Sequence, residues 1–200
     1  PQGWEEAVVA CWEQGDVVPT EYDQPHNPPS RDVTAMIAVA EPAAEPRIHR
    51  AFPGGLEDLE VYRQEVVDGI HDHWIDPEAG KWSYTYHQRL FAYDVPGRGT
   101  ADQIERVSQR LAETPYTRRA QAVTWKVWED NDCYDPACLQ SVWCRITEDE
   151  GRRVLSMNVR FRSNDAYKAA LMNIFALVEL QRLIAGRVTE LGGRPVEPGR

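Results

Sequence analysis

No apolar run in the 200 residues approaches the roughly 18–20 that a membrane helix needs, and the first residues carry no secretory pattern. Positive charge is scarce: 22 Lys and Arg stand against 32 Asp and Glu, a formal net charge of −10. That balance argues against a protein that coats polymeric nucleic acid, but it leaves room for a small anion gripped by a local arginine cluster; with no long apolar run, no membrane partner is expected. Cysteine is limited to positions 11, 133, 138 and 144, with neither a CxxC pair nor a disulfide framework. Reduced thiols in a cytoplasm are the expectation. His71 and His73, in HDH, lack a third ligand at recognisable spacing, so no metal is expected. Internal repeats and low-complexity blocks are absent as well.

What remains is an ordinary globular mixture, 42% hydrophobic and 27% charged, long enough for one sizeable core and one domain over residues 1–200. EEAVVACWEQG (5–15) reads as a short helix ending at Gly15, EYDQPHNPPSR (21–31) as a Pro-rich loop, and DVTAMIAVA (32–40) as a strand. Residues 41–55 form an irregular connection. LEDLEVYRQEVVDGIHDHW (56–74) has apolar residues at 56, 59, 62, 66, 67 and 70, which is helical spacing. Thr100 with Gln103 is a candidate capping box for a helix to about Ala112, and Pro115 follows its end.

The second half carries the chemistry. RAQAVTWKV (119–127) and LQSVWCRIT (139–147) read as strands. RVLSMNVRFR (153–162) alternates, with Leu155, Met157, Val159 and Phe161 on one face and Ser156, Asn158, Arg160 and Arg162 on the other. The short EDEGR turn predicts a hairpin of the last two strands, which sets Cys138 beside Arg162 and Ser163. Residues 166–191 read as a long helix in which Asn173 is the one polar residue between Ala169 and Val178. Burying an unpaired amide costs about 1–3 kcal/mol, so Asn173 either has a structural partner or reads a ligand's polar edge. Cys138, after the turn-forming Asp135-Pro136 pair and at the mouth of a strand, is placed to meet a substrate.

Together DPACLQ, PYTRR and RSNDAYKAALMN resemble the thymidylate synthase superfamily, in particular its archaeal-type branch. RIHR, PGGLEDLE, HDHW and YTYH extend the likeness from about residue 44 to 191. The resemblance implies an α/β (α+β) fold: a mixed twisted sheet packed with helices, with one sheet face forming a homodimer interface. It implies a pyrimidine nucleoside monophosphate as substrate and 5,10-methylenetetrahydrofolate as co-substrate. Cys138 matches the nucleophile that adds to C6 of the base, and an adjacent guanidinium is expected to lower its pKa. Arg162 and Ser163 match the phosphate-binding pair, and Arg118 and Arg119 match arginines that reach the partner's phosphate site. Asp165 matches an aspartate near the base's carbonyl, expected to serve both catalysis and the folate. Asn173 matches the amide that reads the base. Tyr86 and Trp74 match aromatic positions of the pocket, Trp74 on the folate side. Glu60, or else Glu57, is the candidate proton-relay glutamate.

The superfamily ends the shared thiolate step in two ways, by methyl transfer or by water capture that leaves a hydroxymethyl group. Asn173 can serve uracil in one orientation and cytosine in the other. Leu139 stands where many members have histidine, Ala137 replaces the usual proline before the nucleophile, and Lys126 stands where many have asparagine. Ala176 lacks a hydroxyl found in several members, which suggests space for a shifted sugar. The family's C-terminal sugar-binding motif and closing tail have no counterpart before Arg200, so either the chain is a truncated form or the expected site is more open to water than in a thymidylate synthase. These departures make a CMP/dCMP 5-hydroxymethylase, resembling that of mildiomycin-type nucleoside-antibiotic biosynthesis, the leading expectation. Methylation of dUMP by an archaeal-type thymidylate synthase is the close alternative.

Overall fold

A computed structural model describes residues 1–200, residue 149 by its backbone alone. In chain order the elements are α1 (Gln2–Gln14), β1 (Asp16–Val18), β2 (Ser30–Asp32), α2 (Leu56–Asp68), α3 (Tyr86–Phe91), β3 (Tyr93–Val95) and β4 (Gly99–Ala101). They continue as α4 (Gln103–Glu113), β5 (Gln121–Val123), β6 (Leu139–Asp149), β7 (Arg152–Phe161), α5 (Ala170–Gly192) and β8 (Glu197–Pro198). Two short 3-10 turns cover Asp72–Trp74 and Pro77–Ala79.

The centre is a four-stranded mixed sheet in the order β5-β6-β7-β8, antiparallel except for the β7–β8 pair. Its long hairpin forms where the alternation of residues 153–162 requires it. The turn holds two residues, Glu150 (φ 49°) and Gly151 (φ 80°), the left-handed pair that matches strand twist in a tight hairpin. The inner face presents Leu139, Val142, Cys144, Ile146 and Leu155 to Leu180, Ile184 and Val188 of α5 and to Ile104, Val107 and Leu111 of α4. Leu139 and Val142 are both buried although three apart, which strict alternation forbids. A register shift between Leu139 and Ser141 accounts for this, and it lies beside Cys138, where bulges commonly re-aim a strand end. A second apolar cluster, Trp4, Phe52, Leu59, Ala170 and Leu171, ties α1 and the 41–55 connection to the start of α5.

Several sequence expectations need correction. Residues 33–40 form no strand. They face Met157, Val159 and Phe161 of β7 across a cavity of about 590 Å³, with Met36 96% exposed, so they make no ladder with that edge. The strand expected over 119–127 shrinks to β5, because the chain leaves the sheet after Thr124, whose hydroxyl donates to the Leu139 carbonyl. The helix expected over 56–74 ends at Asp68, where Gly69 adopts φ 70° against the His87 ring. Thr100 is held in β4 opposite Asp94, so Asp102 caps α4 by accepting from the Glu105 amide at 2.8 Å. The long helix opens at Ala170 rather than 166, since Asp165 turns the chain first.

Candidate active site

The hairpin register brings Leu139 opposite Phe161, and one step beyond, the Arg162 amide donates to the Cys138 carbonyl at 2.9 Å. The adjacency of Cys138 and Arg162 expected from the sequence is therefore present. The Arg162 side chain folds back onto the turn before the thiol: Nη2 donates to the Pro136 carbonyl at 2.7 Å and Nε to the Ala137 carbonyl at 3.2 Å. A guanidinium carries five N–H donors, and beyond these two bonds and one to the Tyr22 hydroxyl, donors remain for an anion. Arg162 thus shapes the loop that carries the sulfur and keeps charge in reserve beside it.

The electrostatics of the thiol differ from the expectation. Cys138 is half-buried, and loss of water around it raises its pKa; Arg162 pulls it down and Asp135 pushes it up again. Desolvation wins, so the resting group is a thiol with its pKa above the ordinary value rather than an activated thiolate.

Three tyrosines surround this sulfur. Tyr86 Oη accepts the Leu139 amide at 3.1 Å, which ties α3 to the residue after the nucleophile, and burial pushes its phenol up to about 12. Tyr84, its ring centroid 5.8 Å from that of Tyr86, is raised further, again mainly by burial. Both line a cavity of about 370 Å³ with Glu65, Trp82, Thr85 and Asp135. The third is Tyr62 on α2, whose hydroxyl donates to Asn173 Oδ1 at 2.6 Å. Asn173 Nδ2 in turn donates to Asn164 Oδ1 at 2.9 Å. Asn173 is 6% exposed, and these bonds answer how its burial is tolerated: each end of the amide has a protein partner and each keeps one position open.

The remaining expected residues divide. Ser163 and Asp165 are exposed in the segment between β7 and α5, and Asp165 Oδ1 accepts the amides of Tyr167 and Lys168, both at 2.9 Å. Trp74 stacks on His71 at 3.7 Å, and His71 Nδ1 lies 2.9 Å from a Glu65 carboxylate oxygen. Trp82 meets Trp74 edge-on at 5.1 Å, which makes an aromatic wall at the mouth of the cavity that Glu65 and Trp82 line. Arg118 and Arg119 are exposed just before β5, and their backbones are engaged: the Arg118 carbonyl accepts Trp143 Nε1 and the Arg119 amide donates to Thr117 Oγ1. Neither of these bonds involves Cys138 or Arg162.

Two expectations are displaced. Glu60 is exposed and chelated by Arg63 and Gln64, with its carboxyl held below the usual range by those bonds. The phase of α2 explains it: Leu59, Tyr62 and Val66 face inward, so Glu60 faces out, and Glu57 is exposed too. The α2 glutamate at the cavity is Glu65, which the sequence reading missed. Ala176 is fully buried on α5, so its methyl meets packed core. Lys126 is buried as well, its Nζ 3.1 Å from Glu129 in a network with Arg89 and Asp130. Tyr62 was also missed, because it reads as one more apolar member of a helical stripe; a phenol inside such a stripe was the available signal. Among the described residues no group of three or more His, Cys, Asp or Glu is placed to hold a metal, and no helix is long and apolar enough to cross a membrane.

Comparison with known proteins bears on the family and the fold. The profile of the family described as thymidylate synthase matches residues 54–194. The "Putative thymidylate synthase" of Methanopyrus kandleri is 31% identical over 93% of this chain and 80% of that protein. The protein of the same description from Methanosarcina acetivorans is 30% identical over 98% of this chain and 79% of its own length. Among solved structures, thermostable thymidylate synthase A from Bacillus subtilis aligns with a TM-score of 0.65 at 19% identity, over 99% of this chain and 77% of that one, a likeness of fold.

Proposed function

Because the chain belongs to the thymidylate synthase family of one-carbon transferases, we propose that it methylates dUMP at C5, with Cys138 as the nucleophile. The observation that carries this reading is the strand-end pairing of Cys138 with Arg162, two residues before the Asn164 that bonds the Asn173 amide. The hydroxymethyl product expected first from the sequence has less behind it: the relatives are described as thymidylate synthases, and Ala176 is packed in the core rather than opening space for a sugar.

In this reading the phosphate rests on the unspent donors of Arg162, on Ser163, and on Arg118 and Arg119 of a second copy. The base lies over Cys138 with its polar edge at Asn173. Cys138 loses its proton to solvent, Sγ adds as thiolate to C6 and the electron pair moves to C5. C5 bonds to the incoming carbon and gives its proton to solvent, and expulsion of Sγ as thiolate restores the ring. Bound methylenetetrahydrofolate supplies the carbon and, for a methyl product, the hydride, leaving as dihydrofolate. The aromatic wall of Trp74, His71 and Trp82 suits a flat heteroaromatic ring, and Asp165 lies on the same exposed segment as the phosphate-binding pair. Tyr86, held on the Leu139 amide, keeps its proton at neutral pH and so can donate near the reacting ring.

The dimer belongs to the same proposal. The outer sheet face presents Val123, Trp143, Arg145, Asn158 and Arg160, with Arg118 at its border through Trp143 Nε1. A second copy packed there would carry its arginines toward this chain's phosphate site. The test is incubation with methylenetetrahydrofolate and dUMP, dCMP or CMP, followed by product mass. A gain of CH2 on dUMP supports the proposal; a gain of CH2O on either cytidine nucleotide replaces it with the hydroxymethylase.

A further inference from the structure

The Asn173 amide has four hydrogen-bonding positions, two lone pairs on Oδ1 and two N–H groups on Nδ2. Tyr62 takes one lone pair and Asn164 takes one N–H. One acceptor and one donor are left, in a fixed order along the amide edge. Uracil offers N3–H and O4, while cytosine offers N3 and a 4-amino group, which reverses the roles of donor and acceptor. A ring anchored at C6 and at its phosphate cannot slide to compensate, so accepting the other base requires the amide to turn over.

The neighbours of the amide resist that turn unequally. Turning it would set Oδ1 against Asn164 Oδ1, but Asn164 is exposed and can turn its own amide in reply. Tyr62 has no such answer. Its hydroxyl donates to Asn173 Oδ1 and to no other group among the described residues. Burial, with Tyr86 and Glu65 nearby, holds its phenol protonated far above neutral pH, so the hydroxyl remains a donor in need of an acceptor. A turned amide would face that hydroxyl with N–H groups and strand its proton.

We propose that Tyr62, with Asn164 in a lesser part, is a positioning residue that holds the Asn173 amide in one orientation and thereby makes the site choose uracil over cytosine nucleotides. The inference rests on the reading of the site given above and adds to it the residues that set base choice.

The experiment compares kcat/KM for tritium release from C5-labelled dUMP and dCMP, with methylenetetrahydrofolate, in the wild type and in Tyr62→Phe, Asn164→Ala and Asn164→Asp. The expected wild type favours dUMP. Tyr62→Phe raises the dCMP-to-dUMP ratio at least about tenfold, the scale set by one stranded hydrogen-bonding group. Asn164→Ala raises it less, and Asn164→Asp, which keeps an acceptor for Nδ2, holds it at the wild-type value. If Tyr62→Phe and Asn164→Ala lower both rates together with the ratio unchanged, the positioning role is overturned. If Tyr62→Phe does not fold, Asn164→Ala, at an exposed position, decides. A wild type that releases no tritium from either nucleotide overturns the reading of the site and the inference with it. A wild type that favours dCMP overturns the uracil assignment alone, and a ratio that then moves toward unity in Tyr62→Phe supports the orienting role.

Discussion

At the scale of single residues, the state of the Cys138 sulfur governs the rest. Burial raises its pKa, Arg162 opposes that and Asp135 reinforces it. Alkylation of Cys138 by iodoacetamide should therefore accelerate with pH to a midpoint above the ordinary thiol value of about 8.5. The sign of each neighbour follows: Asp135→Asn should move the midpoint down and speed labelling at neutral pH, and Arg162→Gln should move it up. Peptide mass mapping separates Cys138 from Cys144, whose burial pushes its thiol up to about 12 and leaves it inert. A midpoint unmoved by Asp135→Asn would mean that the carboxylate is screened. Cys138→Ser should lower tritium release by at least about a thousandfold, since it removes the attacking atom. The adjacency of Cys138 and Arg162 was legible in the sequence because a hairpin fixes which strand ends meet, and the burial of Asn173 was legible because it is the one polar residue in an apolar run. The raised thiol pKa was not, because desolvation depends on how three tyrosines from α2, α3 and its N-terminal approach close around the sulfur.

At the scale of elements, α2 delivers Tyr62 and Glu65 to the site, and its length is set by its end. Gly69 stops it at φ 70°, and a Cβ there would lie 2.3 Å from His87 Nδ1. The ring cannot simply withdraw, because His87 Nδ1 is 2.6 Å from Asp72 Oδ2 and its ring stacks on Phe91. Gly69→Ala should cost about 1–3 kcal/mol in urea unfolding, from left-handed strain plus the displaced ring. It should also reduce turnover beyond the loss of folded protein, since the frame that aims Tyr62 shifts. A change within error in unfolding would show that the junction is soft. The sequence showed the helical stripe of α2 clearly yet ran it on to Trp74, since periodicity does not register a single left-handed residue. The run at 33–40 misled for the converse reason: a strand is defined by its neighbour, and this apolar segment faces a cavity instead of an edge.

At the scale of the whole molecule, an acidic chain of net charge −10 would, on the proposed function, have to hold a dianionic phosphate. Arg162 alone offers part of the compensation, while Arg118 and Arg119 are exposed and the bonds described for them, to Trp143 and Thr117, use only their backbones. On the proposed function, a second copy would complete the charge balance, with the outer sheet face as the surface proposed to bring it. Neither Cys138→Ser protein nor the Arg118→Ala/Arg119→Ala double variant should turn over dUMP well when alone. Mixed in equal amounts and allowed to exchange subunits, half of the dimers become hybrids, each with one site built from an intact thiol and intact arginines. Turnover should then recover to about one quarter of the wild-type rate, as counted from two-fold symmetry. If the arginines serve their own chain, every site in the mixture lacks either thiol or arginines, and recovery stays at the level of the two variants measured apart. Analytical ultracentrifugation of the mixture, with the two variants differently labelled, checks that hybrids formed, so that a flat rate speaks against arginine donation rather than against exchange.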